Sequence, residues 1–152
     1  MGTNAYQVGP PLPAELPKSP FRPAVAGRIG FFLGPMAGAF VSAISLRRMG
    51  FPDKAQKVIS IACLGATLLI GVVFFLPDAF SHIVGLAAEI GFYLVFPKIQ
   101  DAEFAAWQAA NTTVKPANGW KAIPWGFAGA ALLLPVAVII IYLLALFGIE
   151  PR

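Results

Sequence analysis

Ile29-Gly30-Phe31-Phe32-Leu33-Gly34-Pro35-Met36-Ala37-Gly38-Ala39-Phe40-Val41-Ser42-Ala43-Ile44-Ser45-Leu46 runs for about 18 residues without a charge, close to the ~20 that a bilayer-spanning helix needs. Within it Gly30, Gly34, Gly38 and Ser42 recur every fourth position, the GxxxG pattern of small residues. On one continuous helix they form a single ridge that lets another backbone approach closely. Pro35 is expected to kink that helix by removing a backbone donor and crowding the carbonyl one turn earlier. This is the first of four expected spans. The same stretch also admits a re-entrant hairpin that enters and leaves on one side, which would move the preceding tail to the side of the following loop.

Outward from that stretch, Val58 to Leu76 and Trp125 to Phe147 are apolar over about 19 and 23 residues, and each reads as a transmembrane helix. Phe80 to Phe96, about 17 residues with His82 and Glu89 inside it, is the third span in chain order, at the short end of the spanning range. Pro77-Asp78 makes a tight turn between spans, so the flanking helices should be antiparallel neighbours. The composition agrees with this. Of the 152 residues, 58% are hydrophobic and 12% charged, with a mean hydropathy of +0.76, and a soluble globule carries about twice that charge. The expected fold class is an all-α integral membrane protein with four transmembrane helices, spans about 29–46, 58–76, 80–96 and 125–147, and a short interfacial helix.

The connections carry most of the polar residues. Residues 1–28 hold closely spaced prolines and no apolar period, so an extended tail is expected, without the pattern of a cleavable signal peptide. Its Pro17-x-x-Pro20 and Pro20-x-x-Pro23 spacings suit either a stiff tether or polyproline recognition by a partner. In the first loop Gly50 is placed to end one helix, and Pro52 with Asp53 to open the next. Residues 98–110 hold apolar positions at helical spacing, predicting an interfacial helix, with Trp107, Trp120 and Trp125 as interface anchors. Residues 148–152 form a short C-terminal tail.

With four spans, Arg47, Arg48, Lys54, Lys57, Lys98, Lys115 and Lys121 share one side, and Lys18, Arg22, Arg28 and Arg152 share the other. The larger group favours a cytoplasmic side, so Arg47, Arg48, Lys54 and Lys57 read as cytoplasmic anchors and both termini as outside. The formal charge of +4 therefore reports orientation, and no nucleic-acid partner is expected.

Glu89 is the residue that membrane physics singles out. An ionised carboxylate at mid-span costs at least about 2.5 kcal/mol, so Glu89 should face protein or water. His82 lies seven residues earlier and Tyr93 four later, on nearly the same helix face, which gives a polar seam or a proton path. His82 could also ligate a haem or pigment, but no second ligand completes a metal set and no cofactor or metal is expected. Cys63 is the single cysteine and excludes an internal disulfide. No phosphate loop, nucleophile elbow or metal-binding His pair occurs, so catalytic residues are not expected and the chain is not read as an enzyme.

The run Gly30 to Gly38, followed by Leu46-Arg47-Arg48-Met49-Gly50-Phe51-Pro52-Asp53-Lys54-Ala55, resembles a pattern in small uncharacterised bacterial inner-membrane proteins. These have a Pro-containing tail, a Gly-Pro-rich first span and an Arg-Arg-x-Gly-x-Pro loop. Gln100 and Gly119-Trp120-Lys121-Ala122 resemble their later segments, whereas their His and paired-Gly positions before the last helix are not evident. The resemblance implies a multi-pass protein of the bacterial inner membrane, assigns no activity and carries over no catalytic residue.

The functional expectation is a small polytopic scaffold or accessory subunit, associating through the glycine ridge and the Pro-rich tail with other membrane subunits, itself and the lipid bilayer. The alternatives are an oligomeric proton-linked carrier or channel using Glu89, and a pigment- or haem-binding subunit using His82.

Overall fold

The computed structural model describes residues 18–148, the side chains of Phe74, Asp78 and Ala79 excepted. Its helices are α1 (Pro23–Leu33), α2 (Pro35–Arg48), α3 (Pro52–Phe75), α4 (Asp78–Ala110), α5 (Ile123–Ala131) and α6 (Leu133–Leu146), with a 3-10 turn at Gly119–Ala122 before α5. Among the described residues there is no strand beyond an isolated parallel bridge between Phe21 and Ala117. Proline occupies the first turn of α1, α2, α3 and α5, where its fixed φ suits a helix start and its missing donor is not needed.

The stretch Ile29 to Leu46 is two helices. Gly34 separates them at φ 89, ψ 171, a backbone region that only glycine enters without strain. Pro35 is then the first residue of α2, so it starts a helix instead of kinking one. The chain reverses here and α2 returns along α1. A Cβ placed on Gly38 would lie 2.8 Å from the Gly30 Cα, so the two backbones touch near the tip. At the other end, the Phe21 amide donates to Ser45 Oγ at 3.0 Å and Arg48 Nη1 donates to the Ser19 carbonyl at 2.9 Å. The expected four-residue ridge is therefore divided: Gly30 on α1, Gly34 at the tip, Gly38 and Ser42 on α2.

Three runs are long and apolar enough to cross a membrane, Pro52–Val73, Phe80–Ala110 and Gly119–Leu146, which suggests a membrane-embedded protein. The hairpin α1–α2 is not a fourth. Its arms have 11 and 14 residues, roughly 16 and 21 Å long, against a hydrocarbon core of about 30 Å.

Three further expectations need correction. The tail ends sooner than predicted, because α1 begins at Pro23; residues 1–17, with Pro17, lie outside the described residues. Pro20 and Pro23 are buried, and the Pro20 carbonyl accepts from the Ala117 amide at 2.9 Å, so the Pro20-x-x-Pro23 spacing is closed inside the fold. The interfacial helix 98–110 is not separate either. It is the end of the 33-residue α4, with Pro97 in its interior. The last span is interrupted as well, at Leu132 between α5 and α6, three residues before Pro135 removes a backbone donor.

The three long runs surround the hairpin. Gly27 of α1 fits where Pro97 leaves the Tyr93 carbonyl without its helical donor: a Cβ there would sit 2.7 Å from that oxygen. Phe96, 3% exposed, fills the notch made by Gly30 and Gly38. On the opposite side Gly126 of α5 meets Ile29, and Gly129 meets Phe40 and the Met36 carbonyl. The buried core centres on the hairpin, with Phe21, Val41 and Leu46 among its largest members. Beyond the hairpin tip packing stops, and α6 has no buried residue.

Candidate functional site

The bundle has a charged base and an apolar far end. At the base lie the segment before α1, the turn from α2 to α3, the end of α4 and the connection 111–122, tied by Arg48 to Ser19, Ala117 to Pro20 and Lys54 to Glu103. At the far end lie the Leu76–Pro77 turn and the end of α6. Lys18 and Arg22 thus belong with Arg47, Arg48, Lys54 and Lys57, against the expected opposition of tail and first loop, while Arg28 lies midway along α1 beside Phe31 and Tyr93.

Arg48 is half-buried, its guanidinium 4.5 Å above the Phe21 ring, and burial lowers its pKa from the ordinary arginine value, though it stays protonated. Lys54 Nζ donates to Glu103 Oε1. Arg47 and Lys57 are exposed. Of the expected anchors, Trp107 stacks on Phe104 with centroids 6.0 Å apart, Trp125 leans on Phe40, and Trp120 is 77% exposed.

Between base and tip are polar groups whose burial without a partner the sequence did not announce. Gln100 is fully buried, and both polar atoms of its amide lack a hydrogen-bond partner; Ser42 Oγ is in the same condition. Each follows the Gly38–Phe96 contact by one turn on its own helix, and both helices run toward the base. A buried unpaired group of this kind costs about 1–3 kcal/mol. The sequence offered no signal for Gln100, because a single glutamine in a half-polar segment ordinarily faces solvent.

Glu89 takes a place that the hairpin explains. Tyr93, Pro97 and Asp101 form the row of α4 facing α1: Tyr93 meets Phe31 edge-on at 6.1 Å, Pro97 meets Gly27, and Asp101 lies by Ala24. Glu89 continues that row about 6 Å past Tyr93. Phe31 is two residues from the end of α1, so the row outruns its partner, and Glu89 is exposed. Its distance from the start of α4, 11 residues or roughly 16 Å, is about half the hydrocarbon thickness. His82, also exposed, stands two turns nearer the far end. The three residues share one face of α4, and the hairpin touches only Tyr93. Among the described residues no cluster of His, Cys, Asp and Glu could hold a metal ion.

Comparison with protein-family models, with curated proteins and with solved structures found no match.

Proposed function

We propose that this chain is a small polytopic scaffold or accessory subunit of a larger bacterial inner-membrane complex, with the hairpin as a re-entrant element on the cytoplasmic side. The observation that carries the reading is Glu89, a carboxylate near mid-membrane on a helix face that this chain leaves open. Intramembrane acids face protein or water, and a partner helix on this face removes the cost of setting one against lipid. The far halves of α3 and α4, and all of α6, leave apolar surface for the same partner. The glycines have no part in it, because Gly30 and Gly38 are used within the chain.

The charge distribution supports the orientation. Of the 11 Lys and Arg, eight lie at or beside the base, Arg28 and Lys98 lie inside α1 and α4, Arg152 lies outside the described residues, and the Leu76–Pro77 turn has none. Base inside, with the C-terminus outside, satisfies the positive-inside rule better than the four-span arrangement.

The test is the mass of the assembly extracted in mild detergent. The wild type is expected to run as a stoichiometric complex well above the 16.1 kDa chain, Glu89→Gln to retain it by hydrogen bonding, and Glu89→Lys to release the monomer. A monomeric wild type, or a complex indifferent to Glu89→Lys, refutes the proposal. The alignment of His82, Glu89 and Tyr93 favours a second reading, an oligomeric proton-linked carrier. Proton flux in proteoliposomes that Glu89→Gln abolishes would select it, and unchanged flux would dismiss it.

A further inference from the structure

α3 and α4 leave the Leu76–Pro77 turn as antiparallel neighbours but pack on different arms of the hairpin, α3 on α2 and α4 on α1. They diverge toward the base, and a cleft of about 420 Å³ opens between them. That volume falls within the roughly 300–1,000 Å³ of small-molecule sites. Its walls are hydrocarbon: Val58 and Ile61 from α3, Phe92, Val95 and Ile99 from α4, with Gly65 at the deep end, where a Cβ would meet nothing within 4 Å. The only charged residues lining it are Lys54 and Lys57, both at the base end. Lys54 is engaged by Glu103, whereas Lys57 is exposed and has no ion pair among the described residues.

We propose that this cleft binds one anionic glycerophospholipid of the base-side leaflet, an acyl chain lying between α3 and α4 and the phosphate resting on Lys57 beside Lys54. Depth and polarity both point to a lipid. From Lys54 to Gly65 is 11 residues, about 16 Å along α3, the depth of one leaflet. The ammonium groups stand at the mouth, at headgroup level, and the interior offers no polar partner. A soluble anion would use the mouth and leave the cleft empty, while a zwitterionic lipid would bring its own cation to the mouth and leave the net positive charge of Lys57 uncompensated. The lipid in turn covers Ile61, 71% exposed, and Val95, 49% exposed, which no helix of this chain reaches.

Native mass spectrometry of the full chain, released from micelles holding equal phosphatidylglycerol and phosphatidylcholine, tests this. The wild type is expected to retain one lipid, predominantly phosphatidylglycerol. Replacing Lys57 by Gln is expected to lower that preference about fivefold, from the attraction of one surface cation for anionic headgroups, and replacing both lysines to lower it further. Gly65→Leu, whose Cβ enters open space at the deep end, is expected to reduce retention of both lipids while circular dichroism remains helical. Glycerol phosphate without acyl chains is expected not to compete. No headgroup preference in the wild type, a preference that survives loss of both lysines, competition by glycerol phosphate, or a dimer that excludes lipid from the cleft would each overturn the proposal.

Discussion

Gly38→Ala adds one methyl group at the tightest point of the hairpin, and its cost can be worked from the surroundings. The new Cβ would lie 2.6 Å from Phe96 Cδ2 and 2.8 Å from the Gly30 Cα. The phenyl ring has limited room to swing, being 3% exposed and stacked on Phe92 with centroids 5.7 Å apart. Gly30 cannot yield without moving α1, which carries the Gly27 contact with α4. Overpacking costs about 1–3 kcal/mol, and contacts under 3.0 Å to both a confined ring and a backbone atom put this site in the upper part of that range, about 2–3 kcal/mol. Against it stands the gain in helix propensity from Gly to Ala, about 1 kcal/mol. The net expectation is a loss of about 1–2 kcal/mol, a five- to thirtyfold shift toward the unfolded form. Gly65→Ala is the control: the same propensity gain with nothing within 4 Å of the added carbon, hence equal or greater stability. Thermal or denaturant unfolding in one detergent, followed by circular dichroism, reads both. The reasoning fails if Gly38→Ala is as stable as the wild type, or if the two variants shift in the same direction.

Gln100→Leu removes two buried, unpartnered polar atoms and keeps the volume nearly constant, so unfolding should show equal or higher stability; a loss above about 2 kcal/mol would mean that the amide is satisfied in the membrane. Ser45→Ala leaves the buried Phe21 amide without its acceptor and should cost about 1–3 kcal/mol in the same assay; a smaller effect would show that α1 is not anchored there. Gly34→Ala forces an L side chain to φ 89 with open space around it, a pure backbone penalty of about 1–3 kcal/mol, and an unchanged midpoint would contradict the reversal at that residue. In a Cys63→Ala background, single cysteines at Ser19 and Gly50 should label from one side of the membrane and one at Gly148 from the other. Labelling of Ser19 and Gly50 from opposite sides would restore the four-span topology.

The apolar helical runs that include residues 58–73, 80–96 and 125–146 were legible because length and hydropathy alone mark them as able to span a membrane. The first segment was not, although its signals were present. Gly34 followed by Pro35 is a helix stop followed by a helix start. Across an uncharged run of about 18 residues the same pair reads equally well as a kink, because length argues for one span. What separates the readings is tertiary: Gly30 and Gly38 suit a neighbouring backbone whether it belongs to the same hairpin or to another helix. The continuity of α4 was hidden for a similar reason. Pro97 ends most helices, but here the Tyr93 carbonyl it abandons is met by the bare Cα of Gly27, which no local pattern announces. Glu89 was legible as an anomaly from its surroundings in sequence, yet its exposure follows only from where α1 stops.

That stopping point links the features that bear on function. Were Pro23 to Arg48 one helix, it would continue along α4 past Tyr93, and the row through Tyr93 and Pro97 would be covered up to Glu89 and His82. Placing the reversal at Gly34 halves the first segment, so α1 covers α4 only as far as Tyr93 and the acid lies one turn beyond the last contact. The same reversal brings Ser19 beside Arg48 and collects Lys18 and Arg22 at the base, which steepens a modest charge asymmetry. It also sets α3 and α4 on separate arms, which opens the cleft beneath Lys57. One glycine with a positive φ thereby connects the charge-based orientation, the unpaired carboxylate and the lipid-sized cleft. A variant that straightened this segment should disturb all three together, whereas a change at Glu89 or Lys57 should disturb only one.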